Sequence, residues 1–235
     1  MIFHGKNRTI PPNIKRIYLN GVEVKRVDTF KYIGLILDSK LTFAPHINSV
    51  CNKLNKFFGI FSHIKNKIPQ HMKRQVYYST IFPHINYGLE IIGSCSSKLI
   101  NKIQRKQNQL MKVLTNRDMM FPTNELHLSN NILKIDDIYK VKILTFVHDC
   151  LNKKVIPLFQ NYFQYQRDTH NYHTRNPYKL VQTKAKTNLC LSSVKSMGAT
   201  QWNNSAIAQS NINSSKHLLK SKLMKCYVNS YQLTN

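Results

Sequence analysis

His46-Ile47-Asn48-Ser49-Val50-Cys51-Asn52-Lys53-Leu54-Asn55-Lys56-Phe57-Phe58-Gly59-Ile60-Phe61-Ser62-His63-Ile64 decides the fold class. Ile47, Val50, Leu54, Phe57, Phe58, Phe61 and Ile64 recur at steps of three and four, which gathers them on one face of an α-helix that must be buried. At about 100° per residue Lys53, Lys56 and Lys67 fall together on another face. Pro45 stands where a first helical turn accepts proline, and Pro69 ends the helix.

The pattern repeats toward the C-terminus. A second helix begins near His71, turns Met72, Val76 and Tyr77 inward and should kink or stop at Pro83. Ser96 or Ser97 caps a third, with Leu99, Ile103, Leu110 and Leu114 as its apolar stripe and Lys98, Lys102, Arg105 and Lys112, with Gln109 among them, along its edge. A fourth runs from an Asp136 cap to about Asn152 through Tyr139, Ile143, Phe146, Val147 and Cys150. Beyond Pro157 the periodicity weakens and Asn, Ser, Thr and Gln become dense, so that region reads as loop-rich, with one last helix from Ser215 to Tyr227. Toward the N-terminus, Ile17-Tyr18-Leu19 and Val22-Glu23-Val24 flank Asn20-Gly21, a hairpin signal, and a third strand over Thr29 to Leu37 joins them. No internal repeat or low-complexity linker interrupts the chain.

Charge sets the class of partner. Among 235 residues, 35 Lys and Arg face 10 Asp and Glu, a formal charge of +25, while a hydrophobic fraction of 42% suffices for a core. Such an imbalance calls for a polyanion. No acid occurs from Ser39 to Leu89, from Ile91 to Arg117, or from Thr169 onward. An ordinary solvated surface mixes both signs, so one-sign runs interleaved with apolar residues point to an electrostatic binding face on a folded domain. The 5 cysteines form no C-x-x-C pair and their odd number argues for reduced thiols. No signal peptide opens the chain and no apolar run is long enough to span a bilayer, which implies an intracellular protein of nucleus or cytoplasm with no membrane role.

Candidates for chemistry are few. Asp136-Asp137 invites comparison with metal-holding polymerase carboxylates, but an N-cap with an acidic first turn suits its place ahead of an amphipathic helix and is favoured. His170 and His173 with Cys150 or Cys190 offer one ligand pair where structural zinc usually shows two. The glycines are isolated, which excludes a phosphate-binding loop and a dinucleotide fingerprint, and no serine sits in a nucleophile elbow. Two consecutive acid-free helices with basic edges point instead to nucleic-acid binding through phosphates, with Tyr77, Tyr78, Tyr172 and Trp202 as stacking or core aromatics.

The string Val27-Asp28-Thr29-Phe30-Lys31-Tyr32-Ile33-Gly34-Leu35-Ile36-Leu37-Asp38, followed by Leu41-Thr42-Phe43 and His46-Ile47, resembles the primer-grip region of reverse transcriptases from non-LTR retrotransposons of the jockey and CR1 kind. Further matches come in the family's order. They are Tyr77 through Ile81-Phe82-Pro83 to Tyr87-Gly88, Gln104 to Leu114, Pro122-Thr123 with Leu126, Ile132-Leu133, His170-x-Tyr172-x-Thr174-Arg175 and Gly198-Ala199-x-x-Trp202-Asn203. That family often carries Trp four or five residues after Tyr-Gly, where this chain has Ile91, Ile92 and Gly93. Its aromatic-x-Asp-Asp carboxylates lie upstream of the primer grip, and here Lys134 stands where the aromatic would precede Asp136-Asp137.

The resemblance implies a mainly α fold with a short N-terminal β-hairpin or three-strand remnant of a palm, then a helical thumb bundle and a loop-rich C-terminal region. Residues 1–44 would be the palm remnant, 45–116 the basic thumb-like bundle, 117–165 a helical connector and 166–235 the basic C-terminal region. It implies a fragment of an RNA-directed DNA polymerase that holds RNA, RNA–DNA or DNA duplex, is inactive alone and binds no cofactor, the parent polymerase needing Mg²⁺. Phe30, Lys31, Tyr32 and Gly34 would abut the primer, with Gly34 admitting a strand closely because it lacks Cβ. Lys53, Lys56, Lys67, Lys98, Lys102, Arg105 and Lys112 would hold phosphates, and His170, His173 and Arg175 would contact RNA or stabilise a loop. The alternative is a domesticated or decayed interaction module that binds a protein or complements a separate palm and fingers.

Overall fold

Two β-hairpins open the chain and helices form most of the rest of the computed structural model, which describes residues 1–5, 16–169, 176–184 and 187–232. The architecture is mainly α with a short N-terminal hairpin region, as the sequence predicts. β1 (Tyr18–Leu19) and β2 (Val22–Glu23) pair antiparallel around Asn20 and Gly21, whose φ angles of 49° and 79° give the type I′ turn its two positive centres. β3 (Thr29–Tyr32) and β4 (Leu35–Asp38) pair with Phe30 opposite Leu37, Lys31 opposite Ile36 and Tyr32 opposite Leu35.

The expected third strand over 29–37 is corrected here. Ile33 and Gly34, at φ 43° and 80°, reverse the chain midway, and the described residues hold two separate two-stranded sheets. Positive φ is costly for a β-branched residue. Tyr87 secures it by donating its hydroxyl to the Ile33 carbonyl.

Asp38, at the end of β4, turns the chain into α1 (Ala44–Ile64). Its carboxylate accepts from the Thr42 hydroxyl at 3.0 Å and from the Thr42 and Phe43 backbone N–H groups at 3.0 and 2.7 Å. Burial alone would raise the Asp38 pKa, but these hydrogen bonds outweigh it and hold the carboxyl below its ordinary value. Pro45 occupies the first turn of α1 as expected.

α1 packs against α4 (Ser97–Thr115) and α2 (Gln70–Asn86). α2 runs through Pro83 and ends three residues later, and Met72, expected inward, lies exposed while Tyr77 is fully buried. After the short α3 (Leu89–Ile92), Gly93 lies under the Tyr139 ring, where a Cβ would come within 2.2 Å of Cδ2. Buried Ile92 and the Tyr139 ring thus fill the neighbourhood in which the resembling family often has Trp.

α5 (Thr123–Ser129) leads into α6 (Ile135–Leu151), which buries residues on every side and packs against α4 and against two helices of the C-terminal part. Asp136 is not its cap. Lys134 holds that position without a side-chain hydrogen bond, Asp136 and Asp137 form the acidic first turn, and the Gln104 Oε1 accepts from the Ile135 N–H at 2.8 Å.

The C-terminal part is more helical than its composition suggests. After α7 (Pro157–Gln160) and a 3-10 turn at Gln166–Asp168 come α8 (Asn188–Leu191), α9 (Val194–Asn203), α10 (Ala206–Ser210) and α11 (Lys216–Ser230). The hydroxyls of Thr187, Ser193, Ser205 and Ser215 each accept from the backbone N–H three residues on, so Ser215 starts the last helix as expected and the other three, read as loop, are N-caps as well. Among the described residues no helix is long and apolar enough to cross a membrane.

Candidate nucleic-acid interface

α4 buries Ile100, Ile103, Gln107, Leu110, Met111 and Leu114, which leaves Lys98, Lys102 and Arg105 on its outward face, each exposed. Lys102 Nζ donates to Asn48 Oδ1 on α1 at 2.6 Å, and Lys106 Nζ lies 5.4 Å from the centre of the Phe58 ring. The α1–α4 seam therefore carries two ammonium groups. Lys106 was missed in the sequence, although it sits four residues beyond Lys102.

Lys56 is exposed on α1, and Lys53 lies where its charge, after burial, further lowers the pKa values of His46 and His84. Lys53 thus lies near the hairpin-facing His46, which accepts the Ile36 N–H at 3.3 Å. Lys67 is exposed but lies past the end of α1, in the turn before α2, so it shares no helical face with Lys53 and Lys56. Lys112 is corrected too. It is buried, with Nζ donating to the Met119 carbonyl at 2.7 Å, and serves to hold the chain after α4.

Negative charge is nearly absent here. Between Asp38 and Asp118 the sequence has one acid, Glu90, which pairs with Lys142 at 2.7 Å, while Asp38 is taken up by the turn into α1. Among the described residues no ion pair joins a carboxylate to a cation of α1 or α4.

The hairpin residues behave differently. Phe30, Lys31 and Tyr32 are exposed on β3, and the alternation of a strand puts the two rings on one face and Lys31 on the other. Gly34 is needed for its turn, and the group that approaches it is the Tyr87 ring, 3.0 to 3.3 Å from where a Cβ would stand. Leu35 lies closer still to Gly88, where a Cβ would meet Leu35 Cδ2 at 2.4 Å. The hairpin and the Tyr87-Gly88 corner thus form one unit.

Of the aromatics considered for stacking, Tyr77 and Trp202 belong to the core, and Tyr78 is half-buried at a cavity. Tyr172, His170, His173 and Arg175 lie outside the described residues. Among the described residues no group of three or more His, Cys, Asp or Glu is placed to hold a metal ion. Burial raises the thiols of Cys95 and Cys150, each to about 11, the opposite of activation.

No family model and no solved structure matches the chain. Similar sequences do exist among known proteins of Drosophila melanogaster. The probable RNA-directed DNA polymerase from transposon X-element is 27% identical over 139 residues, 57% of this chain and 15% of that protein. The probable RNA-directed DNA polymerase from transposon BS is 28% identical over 133 residues, 55% of this chain and 15% of its own. The relatives of this chain are RNA-directed DNA polymerases of mobile elements. The polymerase from mobile element jockey is another, 26% identical over 124 residues, 52% of this chain. The chain spans about 15% of the length of the curated relatives it matches.

Several residues singled out in the sequence have structural work in this fold. Gln107, fully buried, donates to the Tyr77 hydroxyl at 2.8 Å and the Leu133 carbonyl at 2.9 Å, joining α2, α4 and the entry to α6. Gly198 admits the Phe163 ring and Val147, and Asn203 clasps the Leu180 backbone through both its N–H and its carbonyl at 2.8 and 2.9 Å. Asp137 accepts from the Tyr231 hydroxyl at 2.6 Å and from Lys140 Nζ at 2.9 Å. The Asp pair at 136 and 137 is thus committed to packing at this end of α6 on its second member.

Proposed function

We propose that this chain supplies the nucleic-acid-holding part of a retrotransposon RNA-directed DNA polymerase, gripping an RNA–DNA or RNA duplex by its phosphates and performing no chemistry of its own. The observation that carries this is the acid-free surface of α1 and α4, with Lys56, Lys98, Lys102 and Arg105 exposed and the intervening Glu90 neutralised by Lys142. On this reading 45–116 acts as the thumb, 1–44 as the remnant that meets the primer, 117–165 as connector and 166–235 as a basic C-terminal region. His170, His173 and Arg175 are assigned an RNA contact. Asp136 and Asp137 are assigned no metal-holding role, and the Mg²⁺ of the parent polymerase would be held by other carboxylates.

The test is duplex binding by the purified chain across a salt series. Steep salt dependence is expected, and the double variant Lys102→Glu with Arg105→Glu should weaken binding about a hundredfold at low salt and flatten the log–log slope by about two. An unchanged affinity would overturn the assignment of this face.

A second reading is favoured by one observation. Tyr18, Leu19, Val22, Phe30, Tyr32 and Ile33 are large apolar residues exposed together on the two hairpins, more than a surface facing water needs. On it the hairpins dock against palm and fingers, and Phe30 and Tyr32 face protein instead of primer. Crosslinking from a photoreactive residue at Tyr32 to a co-expressed palm, and not to duplex, would favour it.

A further inference from the structure

We propose a second nucleic-acid site, formed by α2, α6 and α11 and apart from the exposed cations of α4, that takes one unpaired nucleotide of a single strand. A cavity of about 460 Å³ lies between α2, α6 and α11, walled by Tyr78, Phe82 and Phe146. The Tyr78 and Phe82 rings stand 5.1 Å apart, both half-buried, and the Arg74 guanidinium sits 5.3 Å from the Tyr78 ring centre. A second cleft of about 300 Å³ shares Lys220 and Met224 with the first and adds Arg74, His217 and Lys225, with no carboxylate in its lining.

Each half matches one half of a nucleotide. The aromatic cavity exceeds a nucleobase and offers ring faces for stacking, which is tolerant of base identity. The cleft beside it gathers Arg74, Lys220 and Lys225, none of which joins an ion pair among the described residues, the environment a phosphate requires. The acids of the first cavity are already engaged, Glu90 by Lys142 at 2.7 Å and Asp149 by Lys216, so neither repels an incoming phosphate as a free charge. A base within a duplex has both faces stacked on its neighbours and cannot enter, which restricts the site to unpaired strands.

The site shares no residue with the α4 face, and its test separates the two. The full chain is titrated against a ten-nucleotide RNA carrying one 2-aminopurine and, in parallel, against a blunt RNA–DNA duplex. Binding of the single strand should quench the 2-aminopurine emission. Arg74→Glu with Lys220→Glu, both exposed positions, should weaken single-strand binding about tenfold and remove the quench while leaving duplex affinity within about twofold. Tyr78→Leu, with its melting temperature measured to confirm folding, should remove the quench. Unquenched emission in the bound parent chain, or an equal loss of both substrates in the cleft variant, would overturn the site. Retained quench in a chain that binds no duplex would support it and sink the α4 reading alone.

Discussion

α4 and α6 are helices of similar length that treat charge in opposite ways. On α6 the charged residues other than the exposed Asp136 are matched within the protein. Asp137 takes Lys140 and the Tyr231 hydroxyl, Lys142 takes Glu90 and the Asn86 carbonyl, and Asp149 takes Lys216. On α4 the exposed Lys98, Lys102 and Arg105 stand in a stretch without acids, and none of them joins an ion pair among the described residues. The first arrangement organises a core helix buried on all sides. The second keeps its charge at the surface, where the proposed duplex would meet it, and a substitution on one helix should move a quantity that the same kind of substitution on the other does not.

The largest expected effect is on α6. Asp137→Ala removes the acceptor of the buried Tyr231 hydroxyl and the partner of Lys140, and should lower unfolding free energy by about 3 kcal/mol in urea denaturation with duplex affinity little changed. The double reversal on α4 should do the converse, since exposed positions away from packing rarely shift stability by more than about 0.5 kcal/mol. If Asp137→Ala left stability intact while abolishing binding, the contrast between the two helices would collapse.

Acidification probes the seam that joins them. Buried His127 faces the Asn108 side chain on α4 at 2.9 Å and donates from Nδ1 to the Ile132 carbonyl at 3.0 Å, ahead of α6. Burial is the main cause that pulls its pKa down to about 4, opposed by the Ile132 hydrogen bond and aided by Lys134. Its folded pKa therefore lies below the unfolded value of 6.5, so the unfolded state binds the proton first. The stabilisation is complete above that value and fades as pH falls toward 4. Stability should drop by about 2 kcal/mol between pH 6.5 and 5, with His46 and His84 pulling the same way, and His127→Gln should flatten most of that slope.

What the sequence made legible follows from where the information lies. The stripes of α1 and α4, the Asn20-Gly21 turn and the Ser215 start of α11 are local patterns, set by periodicity or by one capping hydroxyl, and they hold. The reversal at Ile33-Gly34 was hidden because an isoleucine at positive φ is tolerated only through the Tyr87 hydroxyl, 54 residues away. Lys112 kept its place in the basic row by helical angle, yet its end folds onto Met119 in a turn that no periodicity describes. α9 and α10 were hidden by their own caps, because Ser193 and Ser205 signal a loop and a helix start alike. The basic face itself was readable from the missing acids alone.

The smallest expected effect tests whether pairing or burial gives α6 its character. Lys216 on α11 meets Asp149, but its side chain is 56% exposed while that of Asp149 is 13% exposed. Solvent screens the ammonium end, so Lys216→Ala should cost no more than about 1 kcal/mol, whereas Asp149, with the buried His148 ring 3.8 Å away, is the partner held by the fold. Removing Lys216 also frees a carboxylate toward the Tyr78 cavity. Its stability loss should therefore stay small while affinity for an unpaired strand falls a few-fold, and a loss of stability comparable to Asp137→Ala would mean that the α11 contact, and not the burial of α6, organises this half of the molecule.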